Sequence, residues 1–245
     1  MTTMPITGPS DDLAREVIEL IEEIQGKVQS FQDKVNSVLS YVPGFLEWAI
    51  GKILDAWDDF CAKMQEFWTL IQEVLSYIGD PGGLRAAADS WTGLVGSPVS
   101  NQVSVADAGR LSVDDNWSGD AAEQYRQTLP LQKAAMGDIQ DVFATRLSEA
   151  LGTMAGALTV FYGAMVAAVV AFAGALAVGI AALVGVVTAP GAIIAVVVGV
   201  AALITGVTVG ITNLRSGASS TQAAFESILG DNSAYPGGAW PQATV

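Results

Sequence analysis

The chain has no histidine and one cysteine, Cys61, in 245 residues. Histidine is the side chain whose unperturbed pKa lies nearest neutrality, so the commonest general base and the commonest neutral metal ligand are both missing. A lone cysteine closes no intrachain disulfide and makes no thiolate metal set. Cys61 falls on an apolar helical stripe, where a buried core thiol is the expected reading. No Walker A loop, G-x-G-x-x-G or paired-cysteine motif occurs. Glu22-Glu23, Asp58-Asp59 and Asp114-Asp115 fall at solvent-facing or capping positions and read as solubilising faces. The chain is read as a non-enzyme, with no catalytic, cofactor or metal site.

Basic residues are scarce, 11 against 25 acidic ones, for a net charge of -14. They are also scattered. Phosphate contacts need clustered Lys and Arg, so nucleic acid is excluded as a partner. Adsorption to anionic lipid by charge is excluded for the same reason. Any membrane contact must come from apolar burial. The first residues are polar, and Asp11 to Glu23 is charged, so no cleavable secretory signal is expected. The protein then stays inside or leaves by a route that does not use such a signal.

The most consequential absence is internal. From Ala150 to Leu214 there is no Asp, Glu, Lys or Arg. The mean hydropathy of +0.43 therefore describes neither part of an acidic chain with an uncharged insert. Thr188-Ala189-Pro190-Gly191-Ala192 divides the insert. Each side is long enough for a membrane span, which needs about 20 residues. The expected object is a helical hairpin with its tip at Pro190 and Gly191, and with Glu149 and Arg215 flanking it on one side. Three readings stay open: a permanent two-span anchor, a hairpin held soluble until it inserts, and a buried core hairpin. A core helix usually keeps a polar side, which disfavours the third. Alanine supplies little insertion energy, and the many small residues let helices approach closely. With no ionisable group inside, a proton relay or ion pump is excluded. Thr159, Thr188, Thr205, Thr208 and Thr212 offer hydroxyls, whose common use is bonding between helices.

What is present is helical periodicity. Val17, Ile21, Ile24, Val28, Phe31, Val35, Val38 and Val42 recur at steps of three and four, giving one buried seam. Tyr41-Val42-Pro43-Gly44 ends that helix. Ile50, Ile53, Trp57, Phe60, Met64, Phe67, Ile71, Val74 and Ile78 continue a heptad pattern. The short link predicts an antiparallel hairpin, Asp11 to Ile78. Trp48, Trp57, Phe60, Phe67 and Trp68 are read as its core. Gly79 to Gly83 breaks the chain. A third helix starts near Leu84, is disturbed by Pro98, and resumes through Ala106 and Leu111. A polar turn, Asp114 to Asp120, leads to a fourth helix carrying Tyr125, Leu129, Ile139 and Phe143, with a kink expected at Pro130. That helix is expected to run on into the uncharged segment as one long rod. After Arg215 come a short helix around Ala223 to Leu229 and a flexible or loosely docked tail.

Trp117-Ser118-Gly119 between two helices, followed by Ala121, Ala122 and Tyr125, resembles the W-x-G hairpin of the small helical (Esx-like) substrates of bacterial type VII secretion. Asp80-Pro81-x-x-Leu84-Arg85-x-x-Ala88-x-x-Trp91 is similar to the opening helix of actinobacterial members. The likeness covers Asp80 to about Leu151. It implies roles in fold and secretion for Trp117, Gly119, Tyr125 and Trp91. It also implies an Esx-like helical partner or the secretion machinery as partner, and a secreted or cell-surface, membrane-associated bacterial protein. The chain departs from the family's Tyr-x-x-x-Asp/Glu export signal: Tyr125 is followed four on by Leu129, Tyr162 by Val166 and Tyr235 by Ala239. Such a signal would then come from a partner.

The predicted fold is all-α, with long antiparallel helical hairpins forming a bundle and a hydrophobic transmembrane or insertable hairpin. Its expected parts are residues 1–80, 81–150, 151–214 and 215–245, with the first two hairpins packed on each other. The expected function is a type VII secretion-related protein that inserts into a lipid membrane as a homo-oligomeric pore former or pore-forming toxin component. The alternative is a membrane-tethered or secreted helical scaffold without pore activity.

Overall fold

The computed structural model describes residues 9–41, 47–75, 79–107, 110, 116–231 and 233–242. The fold is all-α. Its helices are α1 (Pro9–Ser40), α2 (Glu47–Leu75), α3 (Pro81–Ser90), α4 (Ser97–Val103), α5 (Asp120–Asp138), α6 (Arg146–Ala182) and α7 (Ala189–Gly230), with no strand among the described residues. Two π-helical segments, Trp91–Gly96 and Ile139–Thr145, join α3 to α4 and α5 to α6. Asp120–Ala182 is thus one 63-residue helix, and the fourth predicted helix does run into the uncharged segment. Pro130 lies inside α5 without ending it. The turn at Pro43-Gly44, the residues Asp114 and Asp115, and the end of the predicted seams at Val42, Ile78 and Leu111 lie outside the described residues.

The chain divides into two compact units, Met1–Asp80 with Ala157–Arg215, and Pro81–Gly156 with Ser216–Val245. The cuts fall close to the expected boundaries, but the pieces combine differently. The first hairpin shares a unit with the uncharged hairpin, and the W-x-G hairpin shares one with the C-terminal segment. The apolar surface of α6 and α7 gives α1 and α2 a packing partner within the first unit.

In the first unit, α1 buries Val17, Ile21, Ile24, Phe31, Val35 and Val38, and α2 buries Ile53, Phe60, Met64, Phe67 and Ile71. These are predicted seam positions. Phe31 of α1 meets Trp57 and Phe60 of α2 at ring-centroid distances of 6.0 and 5.3 Å, which fixes the hairpin's register. Trp57 and Trp68 are half-buried rather than core, and Trp48 is 55% exposed with the Lys52 ammonium 5.3 Å above its ring. Cys61 is exposed, against the expectation of a core thiol. It sits one step past Phe60 on the helix, which turns it out of the seam.

In the second unit, α3 and α4 run antiparallel to the helix that starts at Asp120. Lys133 Nζ lies 3.2 Å from an Asp107 oxygen, and the two π segments meet near Gly96 and Ala144. A Cβ on Gly96 would come within 3.0 Å of the Ala144 methyl, so glycine permits this approach. Pro98 has no N–H for the preceding turn, and the π segment stands directly before it. The hydroxyls of Ser97 and Thr145 donate to carbonyls five residues back, Thr92 and Gln140.

Candidate functional site: the uncharged hairpin

From Leu158 to Ala181 the residues of α6 alternate between buried and exposed at helical spacing, with half-buried ones between. Leu158, Phe161, Tyr162, Met165, Val169, Phe172 and Leu176 are buried. The exposed positions are Val160, Gly163, Ala164, Ala167, Val170, Ala171, Gly174, Ala177, Val178 and Ala181. No outward residue in that stretch is polar. On α7, Ile193, Val196, Val200, Leu203 and Val207 are buried, while Ile194 and Val198 are 54% and 63% exposed. In the most apolar 18-residue windows of the two long helices, only 28% and 39% of the residues are buried. A water-soluble helix puts charge on its outer face; these do not.

Three hydroxyls that the hairpin exposes are satisfied within it. Thr205, Thr208 and Thr212 donate to the carbonyls of Ala201, Ile204 and Thr208 at 2.8 to 2.9 Å. These hydroxyls bond their own helix rather than a neighbour, so they can enter hydrocarbon without an unpaired donor. The two helices are closely apposed. An added Cβ on Gly179 would run into Val196 Cγ2, and one on Gly199 would lie 3.0 Å from the Ala175 methyl. Further along, the Thr221 hydroxyl donates to the Ala150 carbonyl at 3.4 Å within the second unit.

The tip differs from the expectation at Pro190 and Gly191. α6 ends at Ala182 and α7 begins at Ala189, so the turn is Leu183 to Thr188. Thr188 Oγ1 donates to the Gly185 carbonyl at 3.0 Å, closing it. Pro190 is buried in the first turn of α7, where a missing N–H costs nothing, and Gly191 follows it on the exposed side. The residues at the tip are Val184 and Val187, 84% and 64% exposed.

α1 and α2 cover the other side of this hairpin. Phe31 Cε2 lies 3.5 Å from the Cβ position of Gly179. The Tyr162 hydroxyl donates to the Gly79 carbonyl at 2.9 Å, and Arg215 pairs with Glu73 at 2.9 Å. Between α2 and α7 there remains an open cleft of about 450 Å³, bordered by Ala62, Gln65, Glu66, Thr69, Glu73, Ile204 and Thr208. A second groove, between α1 and α2, is lined by Trp57, Cys61, Met64, Trp68 and glutamines 32, 65 and 72. Partial desolvation in this groove and then the Asp58 carboxylate push the Cys61 thiol up, so it stays protonated and poorly nucleophilic.

The W-x-G residues lie in the second unit. Gly119 stands at φ 104°, ψ 177°, immediately before α5. Its carbonyl accepts the N–H groups of Ala122 and Glu123 at 3.0 and 3.1 Å. The rings of Trp117 and Tyr125 are 5.6 Å apart, and Arg126 Nη2 donates to the Trp117 carbonyl at 3.2 Å. Trp117 is 43% exposed, so it does not plug a groove between helices. Trp91 opens the first π segment, is 38% exposed, and makes no ring contact with Trp117 or Tyr125 among the described residues.

The C-terminal segment docks more firmly than the flexible or loosely docked tail that was expected. α7 continues to Gly230, so the short separate helix expected there is part of it. The following segment is not loose. Tyr235 stacks edge-on against Phe143 at 6.2 Å and donates to the Ala135 carbonyl at 2.9 Å, while Gln132 donates to the Pro241 carbonyl at 2.9 Å. Asp231 lies 3.5 Å from Arg146. Asp138 has one oxygen enclosed without a partner; desolvation, then the Asp231 charge, raises its pKa. Asp231 is held below its usual range by the Ser233 hydroxyl and N–H. An aromatic in a polar tail, such as Tyr235, was the available signal.

Comparison with protein-family models, curated proteins and solved structures finds no match for this chain.

Proposed function

We propose that the chain is a type VII secretion-related protein that inserts the α6–α7 hairpin into a lipid bilayer, as an oligomeric pore former or component of a pore-forming toxin. The observation that carries the membrane part is the outer face of α6 from Val160 to Ala181, whose exposed residues are Val, Ala and Gly throughout where a soluble helix would be charged. The secretion part is supported by the placement of Trp117-Ser118-Gly119 at the link between two antiparallel helices, with Gly119 in a backbone conformation essentially reserved for glycine. Oligomerisation is supported by the smoothness of that same face, because small residues allow close packing of hairpins in lipid.

The test is dye release from liposomes by protein purified without detergent, compared with a Val170→Lys/Val198→Lys variant. Both positions are exposed, so the variant keeps the core. Leakage by the parent and not by the variant is expected. No leakage by the parent would reject pore formation. Export is tested separately: Trp117→Ala should abolish secretion from a type VII-competent bacterium while leaving the cellular level unchanged.

A scaffold without pore activity is favoured by one observation, the exposed Trp117–Tyr125 pair, which suits docking to a helical partner. Such a protein would need detergent throughout and release no dye.

A further inference from the structure

We propose that α1 and α2 are a detachable cover: the α6–α7 hairpin spans a bilayer only after the α1–α2 pair has left it as a unit. This rests on the membrane-inserting reading and concerns what gates it.

Charge makes release necessary. The outer face of the cover carries Glu16, Glu19, Glu23, Asp55 and Asp59, all exposed. Each charge carried to mid-bilayer costs about 2.5–3.5 kcal/mol even on the lenient insertion scale. A hairpin that spanned with its cover attached would take these into hydrocarbon.

The cover is coherent by itself. Phe31, Trp57 and Phe60 form one aromatic cluster across α1 and α2, with centroid distances of 5.1 to 6.0 Å. The pair can therefore stay closed when it separates from the hairpin. The junction with the hairpin is less complete. The cleft of about 450 Å³ separates part of α2 from α7, with Glu66 and Glu73 on its rim. Water entering there weakens the grip of the cover on α7.

The hydroxyl bond from Tyr162 to the Gly79 carbonyl, just past α2, also has a destination after release. Tyr162 and Leu183 at the tip are about 21 residues apart, or about 30 Å of helix, which equals the thickness of the hydrocarbon core. With the tip at the far face, Tyr162 reaches the near interface, where a tyrosine hydroxyl meets water and headgroups. Losing the Gly79 carbonyl then leaves no unpaired donor in lipid.

The experiment uses the full chain with Cys61→Ser, Ala62→Cys and Ile204→Cys, the last two joined across the cleft by a reductant-cleavable bismaleimide. An environment-sensitive fluorescent amino acid at Val170 reports entry into zwitterionic vesicles, and dye release is followed in parallel. The linked protein is expected to keep the emission of the water-exposed label, and to release dye at least tenfold more slowly than the same sample after reduction. Equal blue-shift before and after reduction overturns the cover. A parent, never linked, that shows no blue-shift overturns the membrane reading, and the cover with it. The two failures are distinguished by the unlinked sample.

Discussion

Gly119 shows how much one residue can hold. At φ 104° and ψ 177° it occupies a region that side chains avoid, yet a Cβ there would meet nothing within 4 Å. The strain of Gly119→Ala is therefore purely in the backbone. It should destabilise the second unit by about 1–3 kcal/mol in urea titrations followed by tryptophan emission. Gly152, inside α6 and equally open, is the control: Gly152→Ala should gain about 0.5–1 kcal/mol. Asp138 offers a pH test. Its folded-state pKa is raised, so it binds its proton more tightly when folded; its contribution is fullest at low pH and is lost as pH rises through the folded value. Asp138→Asn should thus stabilise the second unit at pH 7, by no more than about 1 kcal/mol because the residue is partly solvated. The gain should vanish as acid protonates the parent. Asp231 has the opposite sign: its support is present above the unfolded value and is lost as pH falls through its lowered one.

At the level of elements, periodicity was the readable signal. The seams of α1 and α2 were legible because spacing along a helix is a local property, and most described seam positions are buried, with Val28, Ile50, Trp57 and Val74 half-buried. Faces on α6 and α7 were not legible, since an unbroken run of Val, Ala and Gly has no polar side to mark the outside. The structure supplies that direction, and with it two opposed predictions. Gly179→Val, on the inward face, drives a Cβ into Val196 and should cost about 1–3 kcal/mol of stability by overpacking. Val170→Lys, on the outward face at 51% exposure, should leave stability within about 0.5 kcal/mol. It should nevertheless reduce vesicle insertion by about a hundredfold, following the cost of a charge in mid-bilayer. The tip was misplaced by a few residues for a definable reason: Pro-Gly reads as a turn, but proline is equally at home in the first turn of a helix, and there Pro190 starts α7.

For the whole molecule the decisive property is charge segregation. A net charge of -14 meets a hairpin with no charge at all, so lipid attraction must be apolar while electrostatics opposes approach to anionic membranes. Binding to zwitterionic vesicles should exceed binding to vesicles rich in anionic lipid, and raising the salt from low to about 0.5 M should narrow the gap by screening. Co-sedimentation across lipid composition and salt measures both. A preference for anionic lipid would contradict this charge argument.

The sequence by itself determined that the chain is helical, where its seams lie, that its acids avoid one long segment, and that this segment is long enough to span a membrane. These follow from composition and from spacing over a few turns. Only the tertiary structure decided that α1 and α2 cover the uncharged hairpin, which of its faces is left open, and that Tyr235 and Pro241 anchor the C-terminal segment. Each of those depends on competition among apolar surfaces far apart in the chain. Local periodicity states that a face must be buried, but not against what.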